Sequence, residues 1–138
     1  MSIARISPEV KSQIRWAEII PWYPRYFISD NGHVLGRRGS ELSIQYDDDG
    51  YQVVSVLHPE ASGRATRRLK MLRINRVVCW YFNGPFPDDG QEYHAAHLDC
   101  VRDNNWWWNL EWQTAMVNNS HPISRQRKSS SRIGRTAR

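Results

Sequence analysis

The chain has 138 residues, 24% of them charged and 40% hydrophobic, with a formal net charge of +5. That suits one domain with a modest core. Six Lys/Arg and no acid follow His121, so the excess charge belongs to a tail, and the rest of the chain is near neutral. No stretch approaches the ~18 apolar residues of a membrane span. No secretory leader is visible. Cys79 and Cys100 are the only cysteines, and without a CxxC pair they argue against a cysteine-ligated zinc. These features point to a cytoplasmic protein with free thiols and no membrane partner.

In chain order, residues 1–15 read as a polar lead-in, either frayed or forming a short helix at Pro8–Ile14. Tyr26-Phe27-Ile28 is strand-like, and Ser29-Asp30-Asn31-Gly32 follows as a hairpin turn, because Asn-Gly supplies the positive φ values of tight turns. His33-Val34-Leu35 is the return strand. Glu41–Tyr46 is a third strand. Asp47-Asp48-Asp49-Gly50 is a second turn; its three acids lack the remaining ligands of a calcium loop, so a solvated turn is the reading. Tyr51–Leu57 is a fourth strand, His58–Thr66 a loop, and Arg67–Leu72 a fifth strand. Apolar residues at 74, 77, 78, 81 and 82 give the spacing of an amphipathic helix over Arg73–Phe82, stopped by Gly84-Pro85. Residues 122–138 carry too few apolar side chains to offset the entropy of ordering, which predicts disorder.

The stretch from His94 to His121 reads strand, long polar loop, strand, helix. Leu110-Glu111-Trp112 is a short strand, and Thr114 is the N-cap of a helix carrying Asn118. His97, Asn109 and Asn118 are its prominent polar points. The fold class is therefore α+β, with a small N-terminal antiparallel β module and a helix followed by a ββα unit. Basic residues supply a possible nucleic-acid footprint. Arg37 and Arg38 follow the first hairpin. Arg67, Arg68, Lys70 and Arg73 form a basic strand, on which Arg68 and Lys70 share a face.

His97-Leu98-Asp99, Asn104-Asn105 and Asn109-Leu110-Glu111-Trp112 together resemble the HNH (ββα-metal) motif of phage and intron-encoded homing endonucleases. Residues 16–34 resemble the modular DNA-binding motif that precedes such nuclease domains. The resemblance covers roughly residues 16–121. It implies a β-rich DNA-binding module with a helix over 16–82, a nuclease motif over 83–121 and a basic tail over 122–138. It also implies a metal-dependent endonuclease, using Mg²⁺ or Mn²⁺, that nicks double-stranded DNA. Oligomeric state, monomer or dimer, stays open.

By that resemblance His97 is the general base, Asn109 the loop tether within the catalytic motif, and Asn118 a metal ligand. The pattern departs at Ala96, where an aspartate would be the second ligand. Asp99 is the nearest carboxylate to replace it, with His94 as another substitute. A neutral histidine suits activation of water, and oxygen ligands suit a hard ion. The alternative is a weakened HNH-derived protein that binds DNA or a protein partner without cutting.

Overall fold

A computed structural model describes residues 13–58 and 69–120, with side chains as far as Val117. The expected lead-in helix, the loop after His58, Arg67, Arg68 and the basic tail lie outside the described residues.

Among the described residues, eight strands form three antiparallel sheets, ordered β1-β2-β3, β4-β5-β6 and β7-β8. They are β1 (Trp16–Ile19), β2 (Tyr23–Ser29), β3 (Val34–Leu35), β4 (Gln45–Tyr46), β5 (Gln52–Leu57), β6 (Leu69–Arg73), β7 (Tyr93–His97) and β8 (Leu110–Thr114). Two helices complete the described fold, α1 (Ile74–Asn83) between β6 and β7, and α2 (Ala115–Ser120) after β8. The fold class is α+β.

Alternation explains the first sheet: Tyr26 and Ile28 are buried while Phe27 between them is exposed, the period-2 pattern of a half-buried strand. The turn at Ser29–Gly32 closes it as its sequence predicts, with Gly32 at φ 92° and its N–H donating to the Ser29 carbonyl at 3.1 Å. Val54 and Val56 of β5 are fully buried. On α1, Ile74, Val78 and Cys79 are buried as well. These side chains join Ile19, Ala95 and Leu110 in one core cluster, so all three sheets close on the same helix.

Several boundaries differ from expectation. β1 has no clear strand signal of its own; it forms because Trp16 to Glu18 pair with Ser29 to Phe27 of β2. The strand expected over Glu41–Tyr46 keeps only Gln45–Tyr46, because a Gly36–Ser40 turn takes the chain away and leaves one isolated bridge, Leu35 to Glu41. Arg73 is extended (φ −73°, ψ 122°) and ends β6, so α1 starts one residue later than its periodicity suggests. Thr114 does cap α2, its Oγ1 accepting the Val117 N–H at 3.4 Å, an N-cap to N3 bond. Among the described residues no helix is long and apolar enough to cross a membrane.

Ile74 is fully buried at the helix start and contacts the space over Gly32. Ile74→Ala is expected to cost about 2–5 kcal/mol through lost burial and the cavity left behind. The urea midpoint should fall with an unchanged m-value.

Candidate active site

The site is built on the β7-β8 hairpin, whose register sets His97 against Leu110, Ala96 against Glu111 and Ala95 against Trp112. Helix α1 fixes this hairpin from one side through side-chain to backbone bonds. Asn75 Nδ2 donates to the Ala95 carbonyl at 2.8 Å. Asn83 Nδ2 donates to the carbonyls of Trp107 and Leu110 at 2.9 and 3.0 Å. Arg76 Nη1 reaches the Tyr93 carbonyl at 3.0 Å. The guanidinium of Arg76 also lies over the Trp112 ring, 5.4 Å from its centroid.

Between the strands the chain makes a long loop over 98–109, ending in a 3₁₀ turn at Trp107–Asn109. Beyond the backbone bond from the Leu98 N–H to the Asn109 carbonyl at 2.8 Å and a few local turns, side chains replace the strand ladder here. Asn109 is buried, and its amide closes the loop. Nδ2 donates to Asp99 Oδ1 at 2.9 Å and to the Asn104 carbonyl at 2.8 Å. Its Oδ1 accepts the Asp99 N–H at 3.2 Å. Asp99 in turn accepts from Asn104 Nδ2 at 2.7 Å and from the Val101 N–H at 2.9 Å. Cys100 takes a positive φ of 61° to make this turn, an uncommon conformation for a residue with a Cβ.

His97 ends β7 at the mouth of this loop. Its Nε2 lies 2.7 Å from Asn105 Oδ1. Its ring stacks near Tyr51, with centroids 6.1 Å apart and planes at 25°. Tyr51 also lies under two guanidinium groups, Arg73 at 4.3 Å and Arg102 at 4.5 Å, which are favourable cation–π distances. The acidic turn is nearby. Arg73 Nε pairs with Asp47 at 2.6 Å and Nη2 with Asp49 at 3.0 Å, and Arg102 donates to the Asp49 carbonyl.

The expected site residues therefore separate. His97, Asp99 and Asn109 come together in one loop. Asn118 lies on α2, and its side chain is outside the described residues. Ala96 is buried at 6% exposure opposite Glu111. The Asp99 carboxylate, expected as a metal ligand, accepts three donors within the loop. Among the described residues no three His, Cys, Asp or Glu side chains group to hold an ion. With alanine at 96, the described donors do not fit a divalent-ion cage.

Among the basic residues, Arg37 and Arg38 share a cleft of about 480 Å³ with Arg25 and Ser40. Lys70 is exposed on β6, opposite Val56. Arg73, also expected to contact nucleic acid, pairs with Asp47 and Asp49 and lies over the Tyr51 ring. Arg25, Tyr51, Arg102 and Asn105 escaped sequence reasoning. The Asn104-Asn105 pair was a usable signal for the last of these.

Asp99 has a shifted acidity with opposed causes. Partial burial pushes its pKa up, but hydrogen bonds from Asn104, Val101 and Asn109, with the nearby His97, outweigh this and hold it below the usual carboxylate value. A depressed folded-state pKa gives stability that is present above the unfolded value, about 3.9. That stability is lost as pH falls through the folded value. Asp99→Asn should thus be less stable than the parent near pH 6, and the gap between urea midpoints should close as pH falls below about 4.

No family model matches the chain. An Acanthamoeba polyphaga mimivirus protein named uncharacterized HNH endonuclease L245 is 30% identical over 107 residues, 75% of this chain. The matched part is 28% of the viral protein, so this chain spans little more than a quarter of it. A solved structure, described as DNA binding and cleavage by the HNH homing endonuclease I-HmuI, matches with a TM-score of 0.64 at 24% identity. The match covers 88% of this chain and 66% of that one. The chain has the fold of an HNH homing endonuclease.

Proposed function

We propose that the chain is an HNH-type nuclease that hydrolyses a phosphodiester bond of double-stranded DNA, with His97 as the general base. The observation that carries this is the placement of His97. It stands at the end of a hairpin strand, beside a loop that Asp99 and Asn109 tie shut, with its ring nitrogen held by Asn105. A base needs fixed geometry before it needs a tuned pKa. In the step, water forms a bond to phosphorus as its proton passes to His97. The bond from phosphorus to the 3′ oxygen breaks, and that oxygen takes a proton from solvent. One such site among the described residues makes a single-strand nick the expected product.

The DNA partner follows from fold and charge. β5 has Gln52 at its site end and Leu57 at the cleft of Arg25, Arg37 and Arg38. At ~3.3 Å per residue these ends are roughly 17 Å apart, about five steps of duplex at 3.4 Å each. A duplex with its cut phosphate at His97 would place flanking phosphates at the cleft, and Lys70 adds charge along the neighbouring strand. Alanine at Arg25, Arg37 and Arg38 together should weaken DNA binding. The slope of log K against log salt should become shallower by about 0.9 for each phosphate no longer neutralised. Titrations of a labelled duplex at several salt concentrations measure both.

The cleavage test is supercoiled plasmid incubated with Mg²⁺, with Mn²⁺ and with chelator, since the resemblance implies a divalent ion. The parent chain should convert plasmid to the nicked form. His97→Ala should slow conversion by about 10²–10⁴-fold; unchanged cutting by that variant removes His97 from the role. The alanine at 96 favours a second reading, a protein that binds DNA without cutting it. Salt-dependent binding with no nicking under either metal ion is its signature.

A further inference from the structure

We propose that a chain of hydrogen bonds anchored on Asp103 fixes His97 in the tautomer with hydrogen on Nε2. This rests on the nuclease role given to His97, but its geometry is independent of that role.

The chain has four bonds and one direction. Tyr46 Oη donates to Asp103 Oδ2 at 3.3 Å. Gln52 Nε2 donates to Tyr46 Oη at 3.3 Å. Asn105 Nδ2 donates to Gln52 Oε1 at 3.0 Å. Asn105 Oδ1 then faces His97 Nε2 at 2.7 Å. A carboxylate offers acceptors and no hydrogen, so it takes the single Tyr46 hydroxyl hydrogen. The Tyr46 oxygen is left to accept, which turns the Gln52 amide so that its oxygen faces Asn105. That turns the Asn105 oxygen toward His97. An amide oxygen cannot donate, so the hydrogen between them belongs to Nε2.

The orientation is held sterically as well. Asn105 is 2% exposed, and a Cβ built at Gly32 would lie 2.9 Å from its Cβ. The first hairpin turn thus presses its backbone against the relay. Tyr51 sets the tilt of the ring by stacking. Asn105, Gln52 and Tyr46 are accordingly positioning residues. They act through His97 and do not themselves touch the reacting phosphate.

The relay also explains why the polar residues of β4 and β5 point toward the loop. Tyr46 pairs with Gln52 across β4 and β5, so the two middle members are cross-strand neighbours, within the ~4.5–5.5 Å reach of such pairs. The other three members lie in the β7-β8 hairpin. The base is therefore set by residues about fifty positions upstream of it in the sequence.

The test reads the imidazole directly. The full chain is labelled with ¹⁵N-histidine, and the His97 signals are identified by their loss in His97→Gln. The expected result is a His97 hydrogen on Nε2 that is visible through protection from solvent exchange. Asn105→Ala should lose that signal. Its kcat should fall by about 10–100-fold, the usual cost of a missing supporting partner, with KM little changed. Because Asn105 is buried, Tyr46→Phe provides a second variant at an exposed position, with Tyr46 58% exposed. It should fold normally and speed exchange of the Nε2 hydrogen by about two- to tenfold, the worth of one neutral hydrogen bond. A hydrogen found on Nδ1 in the parent chain, or exchange unaltered by Tyr46→Phe, overturns the relay while plasmid nicking still stands. A parent chain that shows the protected Nε2 hydrogen yet nicks nothing supports the relay and removes the nuclease role.

Discussion

Everything in this fold that concerns chemistry depends on closing a twelve-residue excursion between two strands without a ladder. The segment from Leu98 to Asn109 has a dozen peptide groups, and few of them can pair with β structure. Asn109 supplies the substitute, with one amide that accepts from Asp99 and donates to both Asp99 and the Asn104 carbonyl. A buried amide with such partners is stable; one stripped of them would cost about 1–3 kcal/mol for each orphaned group. The loop is therefore closed by its own side chains, and His97, the last residue of β7, stands directly before it.

The loop does not stand alone. The first hairpin turn is seated in it: the Trp107 N–H donates to the Asp30 carbonyl at 2.7 Å, and Gly32 lies against Asn105. Asp30 is fully buried and reaches Arg15 at 3.0 Å. Arg15 also lies over the rings of Phe82 and Trp107, at 5.1 and 5.0 Å. A buried carboxylate needs such a partner, since removing one member of a buried pair leaves a charge in a poor solvent. The N-terminal sheet is thus fastened to the site by a backbone bond, a glycine contact and the cation–π contact of Arg15 over Trp107. Glycine at 32 serves twice, because any side chain there would meet both Asn105 and the strain of its positive φ.

Local signals made much of this legible from sequence. Asn31-Gly32 marked a turn because tight turns need positive φ. The apolar spacing through Val77, Val78, Tyr81 and Phe82 marked α1 because a helix presents one face. Thr114 marked the start of α2 because its hydroxyl satisfies an otherwise open N–H. What could not be read depends on register and distance. Trp16–Ile19 became a strand only because β2 offered it an edge. Arg73 looked like one more phosphate-binding cation, and its real partners, Asp47 and Asp49, lie 24 or more positions upstream. Gln52 and Tyr46 carry no motif at all, and only the β4-β5 pairing brings them level.

The acidic turn shows how the charge problem at such a site is managed. If His97 is the base of a nuclease, three aspartates nearby would repel the polyanion it has to meet. Arg73 and Arg102 offset them: Arg73 pairs with Asp47 and Asp49, Arg102 bonds the turn backbone, and both guanidinium groups lie over Tyr51. Two cations that could have gripped phosphate are instead committed to neutralising the turn and holding the ring beside His97. Under the proposed function, phosphate contacts fall to Arg25, Arg37 and Arg38, whose cleft lies at the Leu57 end of β5. The proposal thus places affinity and geometry apart: charge at that cleft would tune DNA binding, and a change within the Tyr51 cluster would alter His97 first.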